Sequence, residues 1–113
     1  KEKDQLPDLV INISEDGWFG DSTGPYQHFS KAIYRAIEEG TFIARSANNG
    51  ISALIDPNGE IIKSLNTGES GNIELYFPEY TKSTLFSEFG NKIFYLILFL
   101  YMFLILILRK YKI

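Results

Sequence analysis

The sequence predicts a layered α/β unit followed by a helix that crosses a membrane. Three observations carry this. Leu9 to Ile13 (LVINI) is a short, mostly apolar run, as expected of a strand covered on both faces. Phe29, Ala32, Ile33, Ala36 and Ile37 recur at i, i+3, i+4, i+7 and i+8, which is one face of a helix. Ile93 to Leu108 reads IFYLILFLYMFLILIL, without a charge, glycine or proline. A core helix of a small domain needs one apolar stripe, and this segment is apolar all round.

The elements follow in order. Leu9 to Ile13 ends in the polar turn Ser14-Glu15-Asp16-Gly17, and Trp18-Phe19-Gly20 comes next. Asp21, Ser22 and Thr23 offer N-caps and Pro25 suits a first helical turn, so a helix is expected from Pro25 to Glu39. Gly40 is its expected stop. Thr41 to Ala44 reads as a second strand, running into a polar loop from Arg45 to Gly50. Ile51 to Ile55 and Glu60 to Leu65 form a hairpin about Asp56-Pro57-Asn58-Gly59, where Pro presets φ and Asn and Gly tolerate the left-handed region. Asn72 to Phe77 reads as a fifth strand, and Tyr80 to Asn91 as a polar connector with aromatics. One helix cannot cover both faces of such a sheet. A second cover is expected outside these residues. The chain begins with Lys1 and shows no apolar leader, so it reads as a piece of a longer protein whose export signal lies upstream.

Charge divides the chain. Residues 1–91 carry a balance of −7 and residues 92–113 a balance of +4, within a net charge of −3. The acidic part lacks an electrostatic footprint for nucleic acid. The basic tail suits anionic lipid headgroups. Arg109, Lys110 and Lys112 follow the apolar run and Lys92 alone immediately precedes it. The positive-inside rule then puts the C-terminus in the cytoplasm and the α/β unit on the outer face, the periplasm in a bacterium. The expected organisation is residues 1–80 as the outer domain, 81–91 as connector, 92–109 as transmembrane helix and 110–113 as basic tail.

Several residues are candidates for a site. Glu15 and Asp16 stand at the end of a strand, where ligand sites gather in α/β sheets. They either do acid–base work or cap the turn and face water. Trp18 and Phe19 line a pocket, touch an acyl chain or plug the edge of the core. His28 is the only histidine, which excludes a His-based metal cluster, and it acts either as base or donor or as a structural group. Arg45 directly follows an apolar strand and needs a partner: a carboxylate of the site, a lipid phosphate, or the acid of a purely structural ion pair. Asn48 and Asn49 either present amides to a carbonyl or make a tight turn with Gly50. Glu38 and Glu39 are solvated or paired with Arg35. The chain has no cysteine, which removes disulfides, zinc thiolates and a thiol nucleophile from these residues.

Four motifs stand in order: residues 12–20 (NISEDGWFG), 24–29 (GPYQHF), 44–53 (ARSANNGISA) and 56–60 (DPNGE). Together with the terminal span they resemble the C-terminal third of the apolipoprotein N-acyltransferase family, within the nitrilase, or carbon–nitrogen hydrolase, superfamily. The resemblance implies the C-terminal part of a nitrilase-like α-β-β-α sandwich followed by one transmembrane helix. It implies a multi-pass enzyme of the bacterial inner membrane, without cofactor or metal. The acyl donor would be a phospholipid and the acceptor the N-terminal amine of a diacylglyceryl-cysteine lipoprotein. The family uses a Glu–Lys–Cys triad in which the thiolate takes the acyl group as a thioester, and all three residues fall upstream of this chain. Trp18, His28, Arg45 and Asn48 carry over as substrate-binding. Glu15 stands where the family usually has Asn. Two other readings remain: a membrane-tethered nitrilase-type amidase, and a non-catalytic membrane-anchored module.

Overall fold

The computed structural model describes residues 7–74, 76 and 83–111. Four strands form one sheet in the order β1-β2-β3-β4, with β1 at Leu9–Glu15, β2 at Phe42–Asn48, β3 at Ser52–Ile55 and β4 at Ile61–Leu65. The first pair is parallel and the other two are antiparallel. Parallel pairing requires a crossover, which α1 (Gly24–Glu39) supplies. Pro25 opens α1, and Gly40 closes it at φ 66°, where its N–H bonds Ala36 O at 2.9 Å.

Alternation along the strands decides what each face does. Val10, Asn12 and Ser14 of β1 and Ile43, Arg45 and Ala47 of β2 pair in register on one face. The core lies there: Phe29, Ala32 and Ala36 of α1 against Ile43, Ile51, Ala53 and Ile55, with Val10 and Ile33 at its margin. The other face is open. Ile11 is 69 % and Ile13 83 % exposed. Leu9 to Ile13 is thus covered on one face only by the described residues.

Some boundaries differ from expectation. β2 continues through Asn48, where a loop from Arg45 was expected, because parallel pairing with Asn12 to Glu15 carries the strand onward. Residues 72–74 and 76 form no strand, contrary to the fifth strand expected over Asn72–Phe77; residues 75 and 77 lie outside the described set. Lys63 Nζ instead ties this segment to β4 through Glu74 O at 3.1 Å. The connector holds a short helix, α2 (Leu85–Phe89), started by a reciprocal cap between Thr84 and Ser87. The apolar helix α3 runs Lys92–Tyr111, 20 residues with none buried. At about 1.5 Å per residue it is about 30 Å long, the thickness of a bilayer core.

Ile55 is fully buried between sheet and α1. Ile55→Ala is expected to lower the opening free energy of β2 and β3, read by amide hydrogen exchange on the full-length protein, by about 2–5 kcal/mol. A loss below about 0.5 kcal/mol would place the core elsewhere.

Candidate functional site

The C-terminal ends of β1 and β2 bring together residues far apart in sequence. Arg45 is 4 % and Asp16 1 % exposed. Arg45 Nη2 donates to Asp16 Oδ2 at 2.8 Å, Nη1 to Asn12 Oδ1 at 2.7 Å, and Nε to the Ile51 carbonyl at 3.1 Å. Asp16 Oδ1 receives the Ser14 hydroxyl at 2.8 Å and His28 Nδ1 at 2.7 Å. The Asp16 backbone N–H extends the β1–β2 pairing by bonding Asn48 O at 2.9 Å. Gly50 makes room for the carboxylate, since a Cβ there would overlap Asp16.

This geometry sets the charge states. Burial alone pushes the Asp16 carboxyl up, but the hydrogen bonds from His28 and Ser14 and the Arg45 charge outweigh it and hold it below its usual range. With Nδ1 engaged by Asp16, the second ring nitrogen of His28, Nε2, is left for a further hydrogen bond. The ring is about one-third exposed, at 35 %. Phe19 packs against it, with centroids 5.7 Å apart.

Glu15 does a different job on the opposite face of β1. Its carboxylate accepts from Asn48 Nδ2 at 2.5 Å, Asn49 Nδ2 at 3.1 Å and the Gly17 N–H at 2.6 Å. Its pKa falls through the Asn49 bond first, then those of Gly17 and Asn48. It therefore caps the turn and faces water, whereas Asp16 is buried and paired. Glu15 thus follows the turn-capping alternative, and Asp16, buried and ion-paired with Arg45, does not face water.

Of the four residues singled out in the sequence, His28 and Arg45 meet at Asp16, with Nδ1 and Nη2 3.5 Å apart. Asn48 lies at the end of β2 beside Glu15. Trp18 occupies a single 3₁₀ turn, Gly17–Phe19, and is 83 % exposed. Sequence reasoning missed Asp16 as the centre of the cluster, and Asn12 and Ser14 as its supports. Arg45 at the end of an apolar run was the available signal, because a buried guanidinium demands a carboxylate. A cleft of about 200 Å³ beside the cluster is lined by Asn12, His28, Lys31 and Arg45, among others. A larger hollow of about 530 Å³ lies mainly on the open sheet face, against Leu9, Ile11, Ser46, Ser52 and Leu54.

The model of the carbon-nitrogen hydrolase family matches residues 4–84. The chain belongs to the carbon–nitrogen hydrolase family. Its relatives include proteins named apolipoprotein N-acyltransferase. That of Rickettsia typhi is 49 % identical over 88 residues, 77 % of this chain and 18 % of the relative. That of Rickettsia bellii is 45 % identical over 100 residues, 88 % of this chain and 20 % of the relative. That of Agrobacterium fabrum is 52 % identical over 65 residues, 58 % of this chain and 12 % of the relative. The chain thus spans a fifth or less of the length of these relatives. Within this hydrolase domain the Arg45–Asp16–His28 cluster sits at the strand ends, where ligand sites of α/β sheets gather.

Because the folded state favours ionised Asp16, its contribution to stability is complete above the ordinary value of 3.8 and is lost as pH falls through the lower folded value. The thermal midpoint of the full-length protein in detergent is expected to drop below that pH. Asp16→Asn should start lower at neutral pH and drop less on acidification. An equal acid drop in both proteins would show that Asp16 does not set it.

Proposed function

We propose that this chain is the C-terminal part of a membrane acyltransferase that moves an acyl chain from a phospholipid to the N-terminal amine of a diacylglyceryl-cysteine lipoprotein. The observation that carries the reading is a carbon–nitrogen hydrolase domain joined to an apolar helix of bilayer length, in a chain akin to proteins named for this transfer. A hydrolase acting on a small soluble amide has no use for α3.

In this reading α3 crosses the inner membrane. Arg109 and Lys110 lie at the cytoplasmic end and the sheet in the periplasm. A Cys thiolate upstream attacks the ester carbonyl of the phospholipid; the lysophospholipid oxygen leaves with a proton from the general acid–base group, and an acyl-thioester remains. The lipoprotein amine then attacks the thioester carbonyl, a general base takes its proton, and the thiolate departs. The Glu–Lys–Cys triad comes from upstream residues, so the chain alone does not catalyse. Its own part is to shape the rim. Arg45 positions Asp16, and Asp16 orients His28 so that Nε2 accepts a hydrogen bond from a substrate donor. Asn48 is held by Glu15 at the neighbouring strand end, leaving Oδ1 as an acceptor. Trp18 and Phe19 offer aromatic surface to an acyl chain. A second sheet from upstream covers Ile11 and Ile13 and completes the α-β-β-α sandwich.

The test is acyl transfer to the full-length protein from labelled phospholipid. A protein-bound, hydroxylamine-sensitive acyl adduct is expected. Its absence where a family positive control forms one would overturn the thioester route, and release of ammonia from small amides without the adduct would favour an amidase.

A further inference from the structure

Helix α2 has two unlike sides. Ser87 is buried, and Thr84, which caps the helix, donates its hydroxyl to the Glu38 carbonyl in the last turn of α1. Leu85 and Phe89, one turn apart, are instead 70 % and 50 % exposed. Glu88 shares this exposed side. Two residues, Gly90 and Asn91, separate Phe89 from Lys92, the first residue of α3. Even fully extended, the three Cα steps from Phe89 to Lys92 span at most about 11 Å. A headgroup layer is about 5–8 Å thick on each side of the hydrocarbon core. The short link therefore keeps Phe89 within about 11 Å of the start of the span, at or next to the headgroup layer, whenever α3 spans.

We propose that α2 is an interfacial anchor, with Leu85 and Phe89 seated in the phospholipid headgroup layer while Thr84 holds the C-terminal end of α1. This rests on α3 crossing the membrane. The occupant follows from continuity with the apolar span: the bilayer that receives α3 reaches Phe89. The composition fits that depth, since the apolar side chains gain by leaving water while Glu88 stays hydrated among headgroups, which a hydrocarbon core would not permit. One short helix then links the bilayer to the helix that carries His28, and fixes how the domain stands over its lipids.

Photo-crosslinking tests this on the full-length protein in phospholipid nanodiscs. Benzoylphenylalanine replaces Leu85, Phe89, Tyr34 on the exposed domain surface, or Phe99 in the span, and adducts are read by mass spectrometry. Positions 85 and 89 are expected to give phospholipid adducts at least fivefold above position 34, with position 99 also strongly labelled. Lipid adducts at 99 without any excess at 85 and 89, or adducts there to protein instead, would overturn the anchor and leave the span intact. Absence of lipid adducts at 99 would overturn the span and the anchor with it. Leu85→Ser with Phe89→Ser supplies an independent arm. If α2 is an anchor, amide exchange of residues 85–89 accelerates in nanodiscs at least threefold; an unchanged rate counts against it.

Discussion

Burying a guanidinium and a carboxylate costs several kcal/mol per ion unless both are fully bonded. At Arg45 and Asp16 they are. The three donor nitrogens of Arg45 reach Asn12, Asp16 and the Ile51 carbonyl, and both oxygens of Asp16 are taken. Among the described residues no buried side-chain nitrogen or oxygen lacks a partner. These bonds join β1, α1, β2 and the approach to β3 at one point. The apolar core behind them sets the distance between helix and sheet, and the ion pair sets their register at the strand ends.

The site inherits its geometry from this pair. Asp16 can orient His28 only because Arg45 compensates the carboxylate. Gly50 is where the chain passes close enough to seal it. Glu15, one residue away and on the other face, is free to collect Asn48, Asn49 and the Gly17 N–H. The alternation of β1 thus separates a buried structural acid from an exposed one that ties two loops together. The same alternation leaves Ile11 and Ile13 uncovered among the described residues.

The local signals in the sequence were good guides. The 3.6-residue pattern over Phe29–Ile37 and the glycine after Glu39 placed α1 to within a residue. The Pro-Asn-Gly turn placed the hairpin. What failed depended on distant partners. Arg45 to Asn48 are polar and read as loop, yet they extend β2 because β1 lies alongside to pair with them. Asp16 looked like half of a solvated pair, since its burial comes from a guanidinium 29 residues later. Asn72 to Phe77 reads as a strand, yet residues 72–74 and 76 join no strand among the described residues. Helix α2 was hidden by its length, although Thr84, Ser87 and Gly90 mark its two ends.

A double-mutant cycle between Arg45 and Asp16 in the full-length protein addresses the dependence on this pair most directly. Each of Arg45→Met and Asp16→Asn strands a buried group and should cost about 3–5 kcal/mol in the opening of β1 and β2. The double variant removes both charges, and its cost should fall short of the summed singles by about 2 kcal/mol or more. Additive costs, within about 0.5 kcal/mol, would mean that the two residues act independently and that the strand ends are held by something else.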